Sequence, residues 1–320
     1  MKLPRRKFLH LVAGAAALPA VPWIARAQTY PVRPVTIIVG FPVGGGIDLD
    51  ARLMGQWLSN RLGQPFNISG SNIATEAVVR APADGYTLLL ATGANALSPA
   101  LYPNLNFNFI RDIAPVAGIA FIPIVMVVSP SSPLKTVVDF VAYAKAHPRE
   151  TTIGTTFAGS PVFMAAALFK VMTGVDVPLA QHSSDAAGIA DLLGGKVQAH
   201  FAGAGAVMED INAGKLRALG VTTLTRLELL PDVPAIAESV PGYEASSWAG
   251  LAAPRGTSAQ IVETLNREIN AGLVDAKVKA RIIELGGVPT PMSVAEFGKF
   301  IADQTEKWGK VIREANIKAQ

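Results

Sequence analysis

The residues with the most specific chemistry stand together in Gly40-Phe41-Pro42-Val43-Gly44-Gly45-Gly46-Ile47-Asp48. Three successive glycines permit positive φ and let backbone N–H groups approach a ligand without interference from Cβ atoms. The run follows a short apolar stretch and opens a helical pattern, so its amides add to the positive end of a helix dipole. A carboxylate can be held this way without a basic side chain. Asp48 is placed to cap the helix, with direct ligand contact as its other role. The spacing matches neither the G-x-G-x-x-G of a dinucleotide turn nor the Gly-Lys-Ser/Thr ending of a phosphate loop.

A second loop repeats the design. After residues 151–153 comes Gly154-Thr155-Thr156-Phe157-Ala158-Gly159-Ser160-Pro161, where Ser160 suits a helix cap and Pro161 the first helical position. Its hydroxyls and amides offer donors for a second acidic group. Phe41 and Phe157 lie in the two loops, as candidate walls or stacking partners for a ligand.

Other chemistries are poorly provided for. The absence of cysteine excludes disulfides, thiolate metal sites and a catalytic thiol. After residue 27 the histidines are His147, His182 and His200, none in a His-Glu-x-x-His or other close metal pair. Ser160 is not in a Gly-x-Ser-x-Gly elbow, and Asp48, Asp185 and Glu244 show no acid/base spacing. The residues point to no enzyme, no metal and no cofactor.

The loops need elements to position them. Residues 35–39, 86–91, 124–128 and 151–153 read as short buried strands. Helical periodicity runs through 48–62, 137–146, 161–172, 186–193, 259–273, 276–285 and 294–315, with Trp57 and Trp308 at core-facing positions. The Lys/Arg-rich last helix reads as a solvated face. Strands alternating with helices predict α/β layers joined by right-handed crossovers. The 293 residues after position 27 are near the size at which one core stops growing, so two lobes are expected.

Charge locates the protein. Five of the 28 Lys and Arg residues fall in the first 27 positions with no acid, leaving 23 bases against 24 acids in the remainder. A phosphate-binding groove, and with it nucleic-acid binding, is unsupported. Residues 1–27 themselves read as a signal peptide: Arg5-Arg6-x-Phe8-Leu9, an uncharged stretch over 11–24, then Ala25-Arg26-Ala27. The paired arginines resemble a twin-arginine signal, with the general secretory route as the alternative. The uncharged stretch is shorter than the roughly 20 residues of a membrane span.

Taken with further segments, the chain resembles the substrate-binding proteins of tripartite tricarboxylate transporters, the Bug family. The likeness covers residues 28–320. It rests on Tyr30-Pro31-x-Arg33-Pro34, Gly40-Phe41-Pro42-x-Gly44-Gly45 with Asp48, Ala83-Asp84-Gly85-Tyr86-Thr87-Leu88-Leu89 and Asp191-Leu192-Leu193-Gly194-Gly195-x-Val197. Further matches are Ala213-Gly214-Lys215-Leu216-Arg217-Ala218-Leu219, Leu230-Pro231-Asp232-Val233-Pro234, Pro241-Gly242-Tyr243-Glu244 and Lys307-Trp308-Gly309-Lys310.

The resemblance implies a monomeric periplasmic binding protein of type II-like α/β architecture. One lobe would comprise residues 28–127 plus 251–320 and the other 128–250, joined by crossover strands near 125–128 and 248–252. The cleft between them would close on a small carboxylate and deliver it to a permease of one large and one small membrane subunit. By the same likeness the ligand is held, with ordered water, by loops 41–48, 92–95 and 154–160. This assigns Phe41, Val43, Gly44, Gly45, Gly46, Asp48, Thr92, Asn95, Thr155, Thr156, Phe157, Gly159 and Ser160 to the site, with His182 at a position where the family has Tyr.

The chain also departs from the pattern. Ala180-Gln181-His182-Ser183-Ser184 replaces Val-Pro-Tyr-Lys/Arg-Gly, Phe201-Ala202-Gly203 replaces Phe-Asp-Asn, and Ser69-Gly70-Ser71-Asn72 shortens an Asn-Arg-Pro-Gly-Ala-Gly turn. A roomier, less polar pocket is the expectation. A sensor component of an extracytoplasmic signalling system is the second reading, and an exported enzyme acting on carboxylic acids the third.

Overall fold

Alternate burial of Val35, Ile37 and Val39 makes strand β1 (Val35–Val39) the centre of a layer covered on both faces. A computed structural model describes residues 30–40, 46–71, 73–102, 104–315 and 317. The signal peptide expected over 1–27 lies outside them, as do Phe41, Val43, Gly44 and Gly45. Among the described residues, no helix is long and apolar enough to cross a membrane.

The first sheet has the order β11-β4-β10-β3-β1-β2. Here β2 (Phe66–Gly70) and β3 (Thr87–Thr92) run parallel to β1. Antiparallel to β3 is β10 (Ser247–Pro254), followed by β4 (Ile113–Ile122) and β11 (Val288–Pro289), each antiparallel to its neighbour. Helices α1 (Gly46–Leu62), α9 (Ala259–Val274) and α10 (Ala276–Glu284) cover one face through Met54, Leu58, Leu265 and Ile282. Helices α2 (Ala74–Val79), α3 (Gly93–Leu101), α4 (Phe109–Asp112) and α11 (Val294–Glu314) serve the other, packing around Trp248 and Phe297.

The second sheet has the order β7-β6-β8-β5-β9. Its parallel strands are β6 (Ile153–Thr155), β7 (Leu179–Gln181) and β8 (Ala199–Gly203), while β5 (Ile124–Val128) is antiparallel to β8 and to β9 (Arg217–Val221). It is flanked by α5 (Val137–Ala146), α6 (Pro161–Thr173), α7 (Asp185–Leu193) and α8 (Ala204–Asn212). The strand expected at 151–153 is shifted to β6, because Ile153, Gly154 and Thr155 are the residues that pair with β7.

The chain passes from the first sheet to the second at 122–124 and returns at 244–247. A third tie is α11, whose Trp308, Val311 and Ile312 share a buried cluster with Phe169 on α6 and Leu97 on α3. The sequence pattern around Tyr30 is a clasp: Tyr30 Oη donates to Gly85 O at 2.6 Å, and Arg33 pairs with Asp84 at 2.9 Å.

Candidate functional site

The carboxyl ends of β1, β3 and β6 each lead into a helix, and crevices at such ends are where open α/β sheets receive ligands. At the first junction α1 is already helical at Gly46. Asp48 therefore lies inside the first turn and is not the cap; there it is nearly buried and accepts from Arg52 Nε at 2.7 Å. A carboxylate in this turn still complements the helix dipole. Two residues on, Asp50 is 4% exposed and its Oδ1 has no hydrogen-bond partner among the described residues. Burial pushes the Asp50 carboxyl up to about 7.

At the second junction, Thr92 caps α3 in a reciprocal box with Asn95. Thr92 N and Oγ1 donate to Asn95 Oδ1 at 2.7 and 3.2 Å, and Asn95 Nδ2 donates to Thr75 Oγ1 at 2.7 Å. An amide nitrogen carries two hydrogens, so one Asn95 N–H remains without an acceptor among the described residues. The opening amides of α3, at Gly93 and Ala94, have no carbonyl one turn back.

At the third junction, Ser160 caps α6 by accepting from Phe163 N at 3.1 Å, with Pro161 next, as the residue types indicate. Thr156 Oγ1 lies 2.7 Å from Ser160 Oγ, both side chains buried. Only one hydroxyl hydrogen can lie between these oxygens, so the pair retains a second that no acceptor among the described residues takes. Thr155 is different, since its hydroxyl donates to Thr156 O and Ala180 O. Gly159 holds φ +81, and a Cβ there would meet Leu101 Cδ1 at 3.0 Å, which seats this loop against the end of α3. Phe157 is 58% exposed at the tip of the loop.

His182 is tied into the second layer. Its ring nitrogens face Thr155 O at 3.0 Å and Asp191 Oδ2 at 3.2 Å. The Asp191 carboxyl is held below its usual range by Lys196 first and His182 after it, against some desolvation. Behind it lies His200, fully buried and edge-on to His182 at 5.8 Å between ring centroids. Neither ring nitrogen of His200 has a hydrogen bond, and Nε2 stands 3.5 Å from Asp185 Oδ1. The ring fits because residues 154 and 188 are glycines: a Cβ would come within 2.6 Å of Nδ1 and 2.2 Å of Cε1 respectively. Ala202 is fully buried in the core of the second layer, so that replacement opens no space in the cleft. Gly203, half-buried at the end of β8, donates its N–H to Asp185 Oδ2 at 3.2 Å.

Two contributors escaped the sequence reading. Trp248 Nε1 is buried without an acceptor, and with Ser247 Oγ it lies beside Gly93 at the start of α3. Both open β10, whose apolar run gives no polar signal. The junctions after β3 and β6 thus present donors without bonded partners among the described residues, while loops 41–48, 92–95 and 154–160 contain no Lys or Arg.

A family model described as tripartite tricarboxylate transporter family receptor matches residues 51–317. The chain is 34% identical to Protein BugT of Bordetella pertussis over 91% of this chain and 92% of that protein. Among solved structures it resembles R. palustris Rpa4515 with adipate at TM-score 0.78 and 34% identity, covering 90% of this chain and 99% of that one. It likewise resembles MatC from Rhodopseudomonas palustris with bound malate at TM-score 0.75 and 27% identity, covering 88% and 100%. The fold is that of periplasmic binding proteins, and proteins of this kind are receptors rather than enzymes.

Proposed function

This chain belongs to the tripartite tricarboxylate transporter receptor family, and from that premise we propose that it captures a small organic acid in the periplasm and hands it to a tripartite tricarboxylate-type permease. The ligand lies between the loops after β1, β3 and β6. The observation that supports this reading is the set of spare donors at the junctions after β3 and β6: one Asn95 N–H, one hydroxyl hydrogen of the Thr156–Ser160 pair and the opening amides of α3 are unused among the described residues. Such a set favours an anion, because charge-assisted bonds to carboxylate are about twice as strong as neutral ones. Adipate in Rpa4515 and malate in MatC fit the same chemistry.

One lobe is built on the first sheet and the other on the second, and an acid touching loops of both favours the closed arrangement by its differential affinity. A micromolar dissociation constant corresponds to about −8 kcal/mol, within reach of several charge-assisted bonds and a desolvated cleft. Residues 1–27 direct export and are then removed, which leaves a monomer in the periplasm. His182 and Thr155 act from behind the site, by fixing the loop that bears Thr156.

The test is a thermal-shift and calorimetric screen of mono- and dicarboxylates of graded length on residues 28–320. One class should raise the melting temperature and bind one per chain, and Thr156→Val should weaken it about 10- to 100-fold while leaving the fold intact. Stabilisation by amines or sugars in place of acids would overturn the reading.

A further inference from the structure

The two chain crossings have a second side. Ser247 and Trp248 stand beside Gly93, on the side of the acid cleft. Phe121, Glu244 and Ser246 instead line a groove of about 820 Å3. Phe300, Val288 and Ile283 wall it from the first layer, and Leu224, Leu227 and Met208 from the second. Its volume is that of a small-molecule site. Leu224 and Val274 are 63% and 71% exposed at its mouth, so a large apolar surface there has no cover.

The floor is polar and built. Ser246 is 8% exposed, and its Oγ has no hydrogen-bond partner among the described residues. Gln304, equally buried, accepts from Trp308 Nε1 at 2.9 Å through its carbonyl, which leaves its amide hydrogens without an acceptor among the described residues. Glu244 does not take these donors: its Oε1 accepts from Ser246 N at 2.9 Å and its Oε2 from Lys307 Nζ at 2.5 Å. Arg226 is bound by Glu238, so the charges on the lining without an ion pair are Lys279 and Glu228, both exposed and of opposite sign. A buried hydroxyl without a partner is destabilising until an oxygen reaches it, and the Gln304 amide on the same lining has hydrogens to offer that oxygen.

We propose that this groove is a second ligand site, separate from the acid cleft, for an amphipathic molecule with a drug-sized apolar body and one oxygen-acceptor head. The head, a carboxylate, sulfonate or carbonyl, accepts from Ser246 Oγ and the Gln304 amide. The body lies between Phe121 and Phe300 on one wall and Leu224 and Leu227 on the other. Because the walls come from both layers, an occupant senses their separation, and its affinity is linked reciprocally to any ligand whose binding changes that separation. The site itself does not depend on which acid the cleft takes; only the linkage rests on the proposed function.

The probe is 8-anilinonaphthalene-1-sulfonate, an apolar ring system with one sulfonate, followed by fluorescence on residues 28–320. One molecule should bind per chain and be displaced by decanoate. Leu224→Asp, at an exposed position, should weaken it at least about tenfold by placing a charge on the apolar wall. Ser246→Ala should weaken it about three- to tenfold. Thr156→Val, in the acid cleft, should leave it unchanged. No binding, equal affinity in Leu224→Asp and Ser246→Ala, or loss in Thr156→Val would each overturn the proposal. Titrating the probe with and without a cleft acid then tests the linkage separately: a changed affinity supports it, and identical curves remove it without touching the site.

Discussion

Replacing Asp50 with Asn should make the protein more stable in alkaline solution and leave its stability in mild acid nearly unchanged. The carboxyl is 4% exposed, one of its oxygens has no partner, and burial raises it to about 7 from the usual 3.8. Between these two values the folded protein keeps a proton that the unfolded chain has released. Stability therefore falls as pH rises through that window, and the loss is complete above about 7. About three pH units at about 1.4 kcal/mol each give an upper limit of ~4 kcal/mol, a large share of the 5–15 kcal/mol typical of a folded domain. Asn has the shape of protonated Asp and never ionises. Urea unfolding at pH 4.5 and pH 8 should show a wild-type loss that the variant lacks, with the variant ahead by about 2–4 kcal/mol at pH 8. Parallel profiles for the two proteins, or a less stable variant at pH 8, would refute the reasoning.

Gly188→Ala should destabilise by about 1–3 kcal/mol, because its Cβ would fall within 2.2 Å of His200 Cε1. In a double-mutant cycle His200→Ala should relieve that penalty, and additive effects would place the strain elsewhere. Gly45→Val should abolish acid binding with the fold intact, since a branched side chain blocks amide approach in the first loop; retained affinity would move the site away from that turn.

The sequence made some of these features legible and hid others for identifiable reasons. The start of α6 was readable because Ser160 and Pro161 are local signals, and the structure uses both in those roles. Helix α3 was not, since Gly93-Ala94-Asn95-Ala96-Leu97-Ser98-Pro99-Ala100-Leu101 has weak periodicity and an internal proline. It holds through the Thr92–Asn95 box and the burial of Leu97. Strand β4 was hidden by Pro115 and Gly118, yet the ladder with β10 absorbs the proline where its register shifts beside Ala252.

The candidate site divided similarly. Loop chemistry at 154–160 came from composition, but which hydroxyls remain free depends on Thr155 reaching Ala180 O and Thr156 reaching Ser160, pairings that no spacing reveals. The cap role assigned to Asp48 failed because α1 starts two residues earlier, at Gly46. His200 entered the sequence reading only as a histidine outside any metal pair, and the glycines opposite it, at 154 and 188, are what record that a ring is packed there. The groove behind the crossings draws on residues as distant as Phe121, Leu224, Ser246 and Phe300, so only the folded chain assembles it.

The central claim is that the protein holds an acid through backbone amides, hydroxyls and the Asn95 side-chain amide, without a basic side chain. A crystal structure with the tightest-binding carboxylic acid tests it most directly. The account predicts carboxylate oxygens within hydrogen-bond distance of the opening amides of α3 and of the Thr156–Ser160 hydroxyls, with no Lys or Arg side chain on either oxygen. An acid resting on a basic side chain, or seated only behind the crossings, would contradict it.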